Sequence, residues 1–294
     1  MNLIRLRYVK AVVETGSFTL AAQACYVTQP TLSNSIAQLE QEFEERLFAR
    51  TTRSVALTPF GEHILPFIDR VIDAHAELMH ESRNFVHPAG NTVRIGASPL
   101  LRSGWLAAML EDFRKAHPGI DIILHEQNMA DLYRMLDDRL LDIVFGVADA
   151  HRPSWSSADL YRENLYFIPR GDGEQGKSEV MFEDIAEETF VMVPNVCGLA
   201  KATRALFRSH RRRLNEYPGE ALSYQVLEEW AALGLGAAIL PESKRHALDN
   251  NASLLTNKRG SPLTLSFEAV WLTELASLSH MKLFTTFLME NNTR

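Results

Sequence analysis

Gln29, Thr31, Ser33 and Asn34 lie within one stretch, TQPTLSNSIAQLEQEF, whose apolar residues Leu32, Ile36 and Leu39 recur at helical spacing. Burying those three leaves a row of amides and hydroxyls on the outside of a helix, continued by Ser35 and Gln38. Such side chains both donate and accept hydrogen bonds, which is the chemistry needed to read base edges in a DNA major groove. An asparagine or glutamine can hold adenine through two bonds, and the Thr31 methyl can touch that of thymine. The stretch contains no arginine or lysine, so the two-bond contact to guanine is not open to it, and DNA shape becomes a further source of specificity.

The flanking residues supply what would position that helix. Thr28 is an N-cap candidate and Pro30 falls in the first turn, where its missing N–H does no harm. Upstream, Ser17 or Thr19 can cap a short helix whose Leu20, Ala21 and Ala24 allow close approach, and the chain turns after Cys25 and Tyr26. Before Gly16, the residues Leu3, Leu6, Val9, Val12 and Val13 form an amphipathic helix. Downstream runs RLFARTTRSVALTPFGE, in which Arg50 and Arg53 flank Thr51 and Thr52 and could hold phosphates or reach a minor groove from a wing. Arg46 could instead pair with Glu42 one turn earlier on the same helix. Three arginines in eight residues are also what a plain solvated surface looks like.

From Thr58-Pro59 a longer pattern begins, with Ile64, Ile68, Val71, His75, Leu78, Ser82 and Phe85 at intervals of three and four over about seven turns. A helix of that length either pairs with a second copy or packs on its own domain, and Pro66 should kink it or sit near its first turns. His87-Pro88-Ala89-Gly90 reads as a hinge.

Beyond the hinge, helical grammar gives way to alternation. VRIGAS, IDIILHE and LDIVFGV are strand candidates separated by WLAAMLEDFRKAHPG and ADLYRMLDDRL, and a second unit follows with LYFIPR, FEDIAEE, TFVMVP, LAKATRALFRSHRRRL and YQVLEEWAALGLGAAILPES. This predicts an α/β fold with two doubly wound lobes and a ligand at the C-terminal ends of the strands. Ser98, Pro99, Leu100, Arg102 and Ser103 follow the first strand and precede a helix N-terminus, where amides and hydroxyls could hold a small organic anion. Asn128 and Met129 follow the second strand. Asn195, Val196 and Cys197 follow a strand of the other lobe, and Tyr224 begins a helix that could close the cleft. Each of these taken singly has a structural use as its competitor.

The first 65 residues resemble the winged helix-turn-helix of LysR-type transcriptional regulators. The resemblance rests on Gly16-Ser17-Phe18, on Ala21-Ala22, on Thr28-Gln29-Pro30-Thr31-Leu32-Ser33, on Leu39-Glu40, on Leu47-Phe48-x-Arg50 and on Leu57-Thr58-x-x-Gly61. GLGAAILP and PGIDIILHE carry a looser likeness to the family's effector domain, itself similar to periplasmic binding proteins. The resemblance implies a winged helix-turn-helix at 1–58, a linker and dimerisation helix at 59–88, and an effector-binding domain at 89–294. In that domain, lobe I spans about 92–163 and 265–294, and lobe II about 164–264. It also implies double-stranded DNA half-sites as partner, self-association to a homodimer or homotetramer, and RNA polymerase as a further contact. Relatives often place arginine at Asn34 and a hydroxyl near Met129, so this chain should differ in base preference and have either a more apolar or softer pocket or simply a different contact geometry. Thiol sensors of the family hold a reactive cysteine in the second lobe, which makes redox sensing through Cys197 an alternative; this lobe offers no second cysteine.

Composition narrows the classes further. The chain has 294 residues, 46% of them hydrophobic, enough for more than one domain with its own core. A net charge of −7 argues against nonspecific coating of nucleic acid and makes any electrostatic footprint local. Two cysteines make no disulfide framework, and the absence of a signal pattern or long apolar run points to a cytoplasmic protein that does not span the membrane. No Walker loop, strand-borne GxGxxG, HExxH or GxSxG elbow is present, so an enzyme is not expected, nor a metal or other cofactor. A free solute-binding protein remains the rival from a different class, one that would have no use for the DNA-reading helices.

Overall fold

A computed structural model describes residues 2–50, 55–86, 91–149, 152–171, 178–245 and 251–291. The chain divides into two compact units, one holding residues 1–88 with the turn at 137–140, the other holding the remainder.

The first unit is built from α1 (Leu3–Thr15), α2 (Phe18–Ala24), α3 (Gln29–Phe43), β1 (Phe48–Arg50), β2 (Val55–Leu57) and α4 (Pro59–Val86). Each of the first three helices starts on a polar cap: Asn2, Ser17 and Thr28 accept from the amides of Ile4, Leu20 and Thr31. These caps satisfy donors that a helix start would otherwise leave open. Leu6, Val9, Val12, Ala21, Leu32, Ile36, Leu39, Leu47, Phe48 and Ile68 form one buried core. β1 and β2 pair antiparallel, with Phe48 opposite Leu57 and Arg50 opposite Val55.

Two contacts tie this wing to the helices. Glu40 Oε1 accepts from the amides of Leu47 at 2.8 Å and Phe48 at 3.1 Å, fixing the chain as it leaves α3. Gly61 sits so close to β1 that a Cβ there would lie 2.2 Å from the Leu47 carbonyl oxygen. Thr58 Oγ1 accepts from the Gly61 amide at 2.9 Å and so caps α4. Pro66 lies inside α4 rather than at its start, so the carbonyl of Glu62 has no amide four residues on to receive.

The expected Glu42–Arg46 pair on one helix does not form. The helix α3 ends at Phe43, Glu44 takes a left-handed φ of 58°, and Arg46 lies beyond the helix. Glu42 is paired instead with Arg5 of α1.

The second unit contains β3 (Thr92–Ala97), α5 (Ser103–Ala116), β4 (Asp121–Glu126), α6 (Met129–Asp137), β5 (Ile143–Val147), β6 (Trp155–Ile168), β7 (Glu179–Met181) and α7 (Phe182–Ile185). It continues with β8 (Thr189–Met192), α8 (Gly198–Ser209), β9 (Asn215–Glu220), α9 (Tyr224–Ala232), β10 (Ala238–Pro241), β11 (Ser253–Thr256), β12 (Thr264–Leu272) and α10 (Ser279–Asn291), with short 3-10 turns at Glu242–Lys244 and Thr273–Ser277. β3 pairs parallel with both β4 and β5, as alternating strands and helices require. β12 then returns antiparallel between β5 and β6, so the sheet is mixed rather than purely parallel.

β6 is the element that joins the two lobes. Its first part, from Trp155 to Asn164, pairs with β12, and Leu165–Ile168 pair with β10. The polar run WSSADLYREN does not read as strand by hydrophobicity, because only Trp155, Leu160 and Glu163 in it are buried and one of those is a carboxylate. Only the apolar end, LYFI, carries a clear strand signal. In lobe I, Phe113, Phe145, Phe284 and Phe287 form a ring cluster under α5 and α10 with centroid separations of 4.7–6.2 Å. Buried carboxylates are tied to backbone donors: Asp142 accepts from the Arg94 amide and Glu268 from the Asp149 amide.

Candidate DNA interface and effector cleft

The outer face of α3 is chemically sorted by its own caps. Thr28 Oγ1 accepts from the Thr31 amide at 3.3 Å and lies 2.7 Å from Thr31 Oγ1, so both hydroxyls are held at the helix start. Ser35 donates back to the Thr31 carbonyl, and Gln38 accepts from Arg5. Gln29 and Asn34 are exposed and their side chains make no hydrogen bond among the described residues, while Ser33 is half-buried beside them. Two carboxamides are thus left with all their donors and acceptors facing out, on a helix whose own backbone is already satisfied. Arg50 ends β1, and Arg53 falls outside the described residues.

In the second unit, the loop after β3 is bound inward at its start and outward at its end. Ser98 is buried, gives its amide to the Phe145 carbonyl at 2.9 Å and accepts from the Leu100 amide at 3.2 Å. Leu100 is wholly buried in the core, so its side chain lies beneath the site rather than in it. Pro99 is half-buried. Arg102 occupies the N-cap position of α5 and Ser103 its first turn, both exposed. The Arg102 amide donates to Tyr161 Oη at 2.8 Å, and its Nε lies 3.5 Å from Glu163 Oε1. Burial pushes the Tyr161 phenol up to about 12.

Asn128 is spent on its own helix: its Oδ1 accepts from the Asp131 amide at 3.0 Å and its Nδ2 donates to the Asp131 carboxylate at 2.6 Å. Met129 is buried between β5 and the start of α8. A Cβ on Gly146 would lie 2.3 Å from its sulfur, and one on Gly198 would lie 3.3 Å from its Cγ. The thioether therefore fills a seam between a strand of lobe I and a helix of lobe II, a space that exists because both neighbours are glycines.

Other contacts lie around this seam, some within lobe II and some crossing to lobe I. Cys197 precedes α8, and its Sγ is 3.0 Å from Tyr224 Oη at the start of α9. Burial first, then Cys197 and the nearby Glu126 carboxylate, push the Tyr224 phenol well above the usual tyrosine range. A phenol held protonated in this way cannot serve the thiol as a base. Lys201 of α8 pairs with Asp149, which follows β5. Asn195 is exposed and accepts from Arg204, whose guanidinium also grips Glu216. Val196 is half-buried. Lys244, after β10, donates to the Leu101 carbonyl at 2.8 Å. Burial holds its ammonium below the usual lysine range, opposed by the charges of Glu163 and Glu126. Among the described residues no trio of histidine, cysteine or acidic side chains could hold a metal ion.

Comparison with known proteins gives this arrangement its lineage. The family model for bacterial regulatory helix-turn-helix proteins of the lysR family matches residues 3–62, and that for the LysR substrate binding domain matches residues 87–293. The chain belongs to the LysR family of transcriptional regulators. Relatives include the nitrogen assimilation regulatory protein nac of Escherichia coli, 30% identical over 84% of this chain and 81% of its own. The regulator BenM of Acinetobacter baylyi is 28% identical over 83% and 81% respectively. Among solved structures, full-length BenM covers 99% of this chain and 96% of its own at a TM-score of 0.57 and 22% identity. CbnR in complex with its target DNA is matched over 99% of this chain and 100% of its own at a TM-score of 0.53 and 17% identity, a likeness of fold.

This LysR-type regulator binds DNA and carries an effector-binding domain. Of the candidate effector residues, the structure brings Met129 and Cys197, from strand ends, and Tyr224, from the start of α9, to one seam and places Arg102 at the end of the β3 loop, beside Tyr161 and Glu163. It turns Leu100 into the core and gives the Asn128 side chain to α6. Glu126, Asp149, Glu163, Lys201 and Lys244 join the site without having been singled out in the sequence. Lys244 and Glu126 each stand at a strand end, so the same rule applied to β10 and to the last residue of β4 would have found them. Glu163 lies inside a strand and had no such signal.

Proposed function

We propose that two copies pair through α4 and set two winged heads on half-sites of a pseudo-palindromic operator. Two-fold symmetry of the protein would then match that of the DNA. Phe67, Val71 and Leu78 of α4 are exposed in the single chain and supply an apolar stripe for that pairing. In this reading residues 1–58 are the DNA-binding head, 59–88 the dimerising linker and 89–294 the effector domain. Further pairing of effector domains gives a tetramer, RNA polymerase is a downstream contact, and the regulator works in the cytoplasm without catalysis. Among the described residues, no helix is long and apolar enough to cross a membrane.

The observation that carries the DNA reading is the pair of unengaged carboxamides, Gln29 and Asn34, on the outer face of a fully capped helix. Thr28, Thr31 and Ser33 flank them, and Arg50 and Arg53 grip phosphates from the wing. The CbnR complex with its target DNA supports a duplex as the partner. An effector, a small organic anion, binds across the seam lined by Ser98, Pro99, Arg102, Ser103, Met129, Asn195, Val196, Cys197 and Tyr224. By favouring one lobe arrangement it shifts the angle between heads.

The test is a binding titration on the promoter duplex beside the gene. Asn34→Ala should change base preference at one operator position, whereas Arg53→Ala should weaken binding to all sequences alike and flatten its salt dependence. If Asn34→Ala left preference unchanged, the carboxamide reading would be wrong.

A further inference from the structure

Lys244 is a half-buried ammonium with little to hold. It donates one hydrogen bond, to the Leu101 carbonyl, and among the described residues no carboxylate comes within ion-pair distance of it. Burial disfavours its charge and holds the ammonium below the usual lysine range. Two of its three N–H groups therefore have no protein acceptor among the described residues.

Next to it lie two oxygens in the same predicament. The Glu163 side chain is fully buried, and its Oε2 accepts from the Ser243 amide at 3.0 Å. Its Oε1 has no hydrogen-bond donor, the nearest cation being Arg102 Nε at 3.5 Å. Ser243 Oγ is buried and likewise without a partner. A buried polar atom left unmade is costly, so a site holding a lysine, a carboxylate oxygen and a hydroxyl in this state is built around something else. All three belong to segments that meet where the β3 loop, β6 and the turn after β10 converge.

We infer that Lys244 anchors the carboxylate of a small effector whose adjacent hydroxyl or ammonium group donates to Glu163 Oε1, so that the site selects hydroxy- or aminocarboxylates. Ser243 Oγ completes the hydrogen bonding of the same group. The carboxylate supplies the ion-pair partner that the half-buried ammonium lacks at contact distance, and the donor satisfies the unpartnered Glu163 Oε1. A plain carboxylate would satisfy only Lys244, and an alcohol only Glu163. This inference rests on the effector reading above and adds to it the ligand's class and the residue that recognises it.

The test uses the purified full-length protein in calorimetric titration and thermal melting. The probes are lactate, alanine and mandelate, with propionate and phenylacetate as counterparts lacking the donor, and 2-propanol and benzyl alcohol lacking the carboxylate. Lactate, alanine or mandelate should bind at least tenfold tighter than its counterparts. Lys244→Met should weaken that ligand at least tenfold while Lys244→Arg restores part of the loss, and Glu163→Gln should erase the preference for the donor-bearing acid. Should Glu163→Gln fold poorly, Ser243→Ala reads the same preference from the other side. Equal binding of acids to wild type and Lys244→Met overturns the inference, as does equal binding of propionate and lactate. If neutral or cationic compounds alter melting and operator binding where acids do not, the inference falls and the effector reading stands. If no compound of any charge alters either, the effector reading falls with it.

Discussion

Replacing Glu40 by alanine should loosen the wing of the DNA-binding head by an amount the geometry sets. One carboxylate oxygen receives the amides of Leu47 and Phe48, two residues that are 0% and 2% exposed. Each bond to a charged acceptor is worth about 1.5–3 kcal/mol when made. The Glu40 side chain is only half-buried, so water admitted by the truncation recovers part of the two bonds. A net loss of roughly 2–3 kcal/mol is expected, about half of the two-bond sum of roughly 3–6 kcal/mol, or about a 30- to 150-fold increase in opening of this segment. Every tryptophan of the chain lies at or beyond Trp105, so fluorescence reports the second unit and is blind to the head. Hydrogen–deuterium exchange of peptides spanning residues 44–50 is the suitable assay, with operator affinity as a second readout. Glu40→Gln keeps a neutral acceptor and should lose about half as much. Unchanged exchange in Glu40→Ala, within about 0.5 kcal/mol, would show that these amides do not depend on the carboxylate and would refute the reasoning.

Three further outcomes follow from particular contacts. Gly61→Ala puts a Cβ 2.2 Å from the Leu47 carbonyl oxygen and should destabilise the head by about 1–3 kcal/mol, read by thermal unfolding of the first unit; a neutral result would mean α4 and β1 separate freely. Tyr161 keeps in the folded chain a proton that the unfolded chain loses near 10, so its contribution to stability is complete below that pH and disappears as pH rises through about 12. Urea midpoints measured across that window should fall less steeply in Tyr161→Phe. Lys201 and Asp149 are partly buried and join α8 to the end of β5, so a double-mutant cycle of Lys201→Met and Asp149→Asn should show coupling of about 1 kcal/mol in unfolding. Coupling near zero would remove this pair as a brace across the seam.

The head was readable almost residue by residue, because its signals are local. A cap, a proline in the first turn and an apolar triad three or four residues apart act within one or two turns of helix, so Thr28, Pro30, Leu32, Ile36 and Leu39 identify α3 before any tertiary contact is known. The pairing of Glu42 was misjudged for the same reason in reverse: a neighbour four residues away is visible in a sequence, whereas Arg5 on another helix is not. In the second unit, alternation of apolar strands and amphipathic helices announced the fold class, yet the first part of β6 escaped notice since its partner, β12, lies a hundred residues further on.

The site divides along the same line. Residue order alone directed attention to the segments that follow strands, which put Arg102, Met129 and Cys197 forward as candidates, and to the start of α9, which put forward Tyr224. Only the tertiary structure decided which side chains turn inward. Leu100 went to the core and Asn128 to its own helix, while the interior of a strand and the turn after β10 contributed Glu163 and Lys244. Propensity and spacing act over a few residues, but burial and charge pairing are settled between segments far apart in the chain, where the β3 loop, β6 and β10 happen to meet.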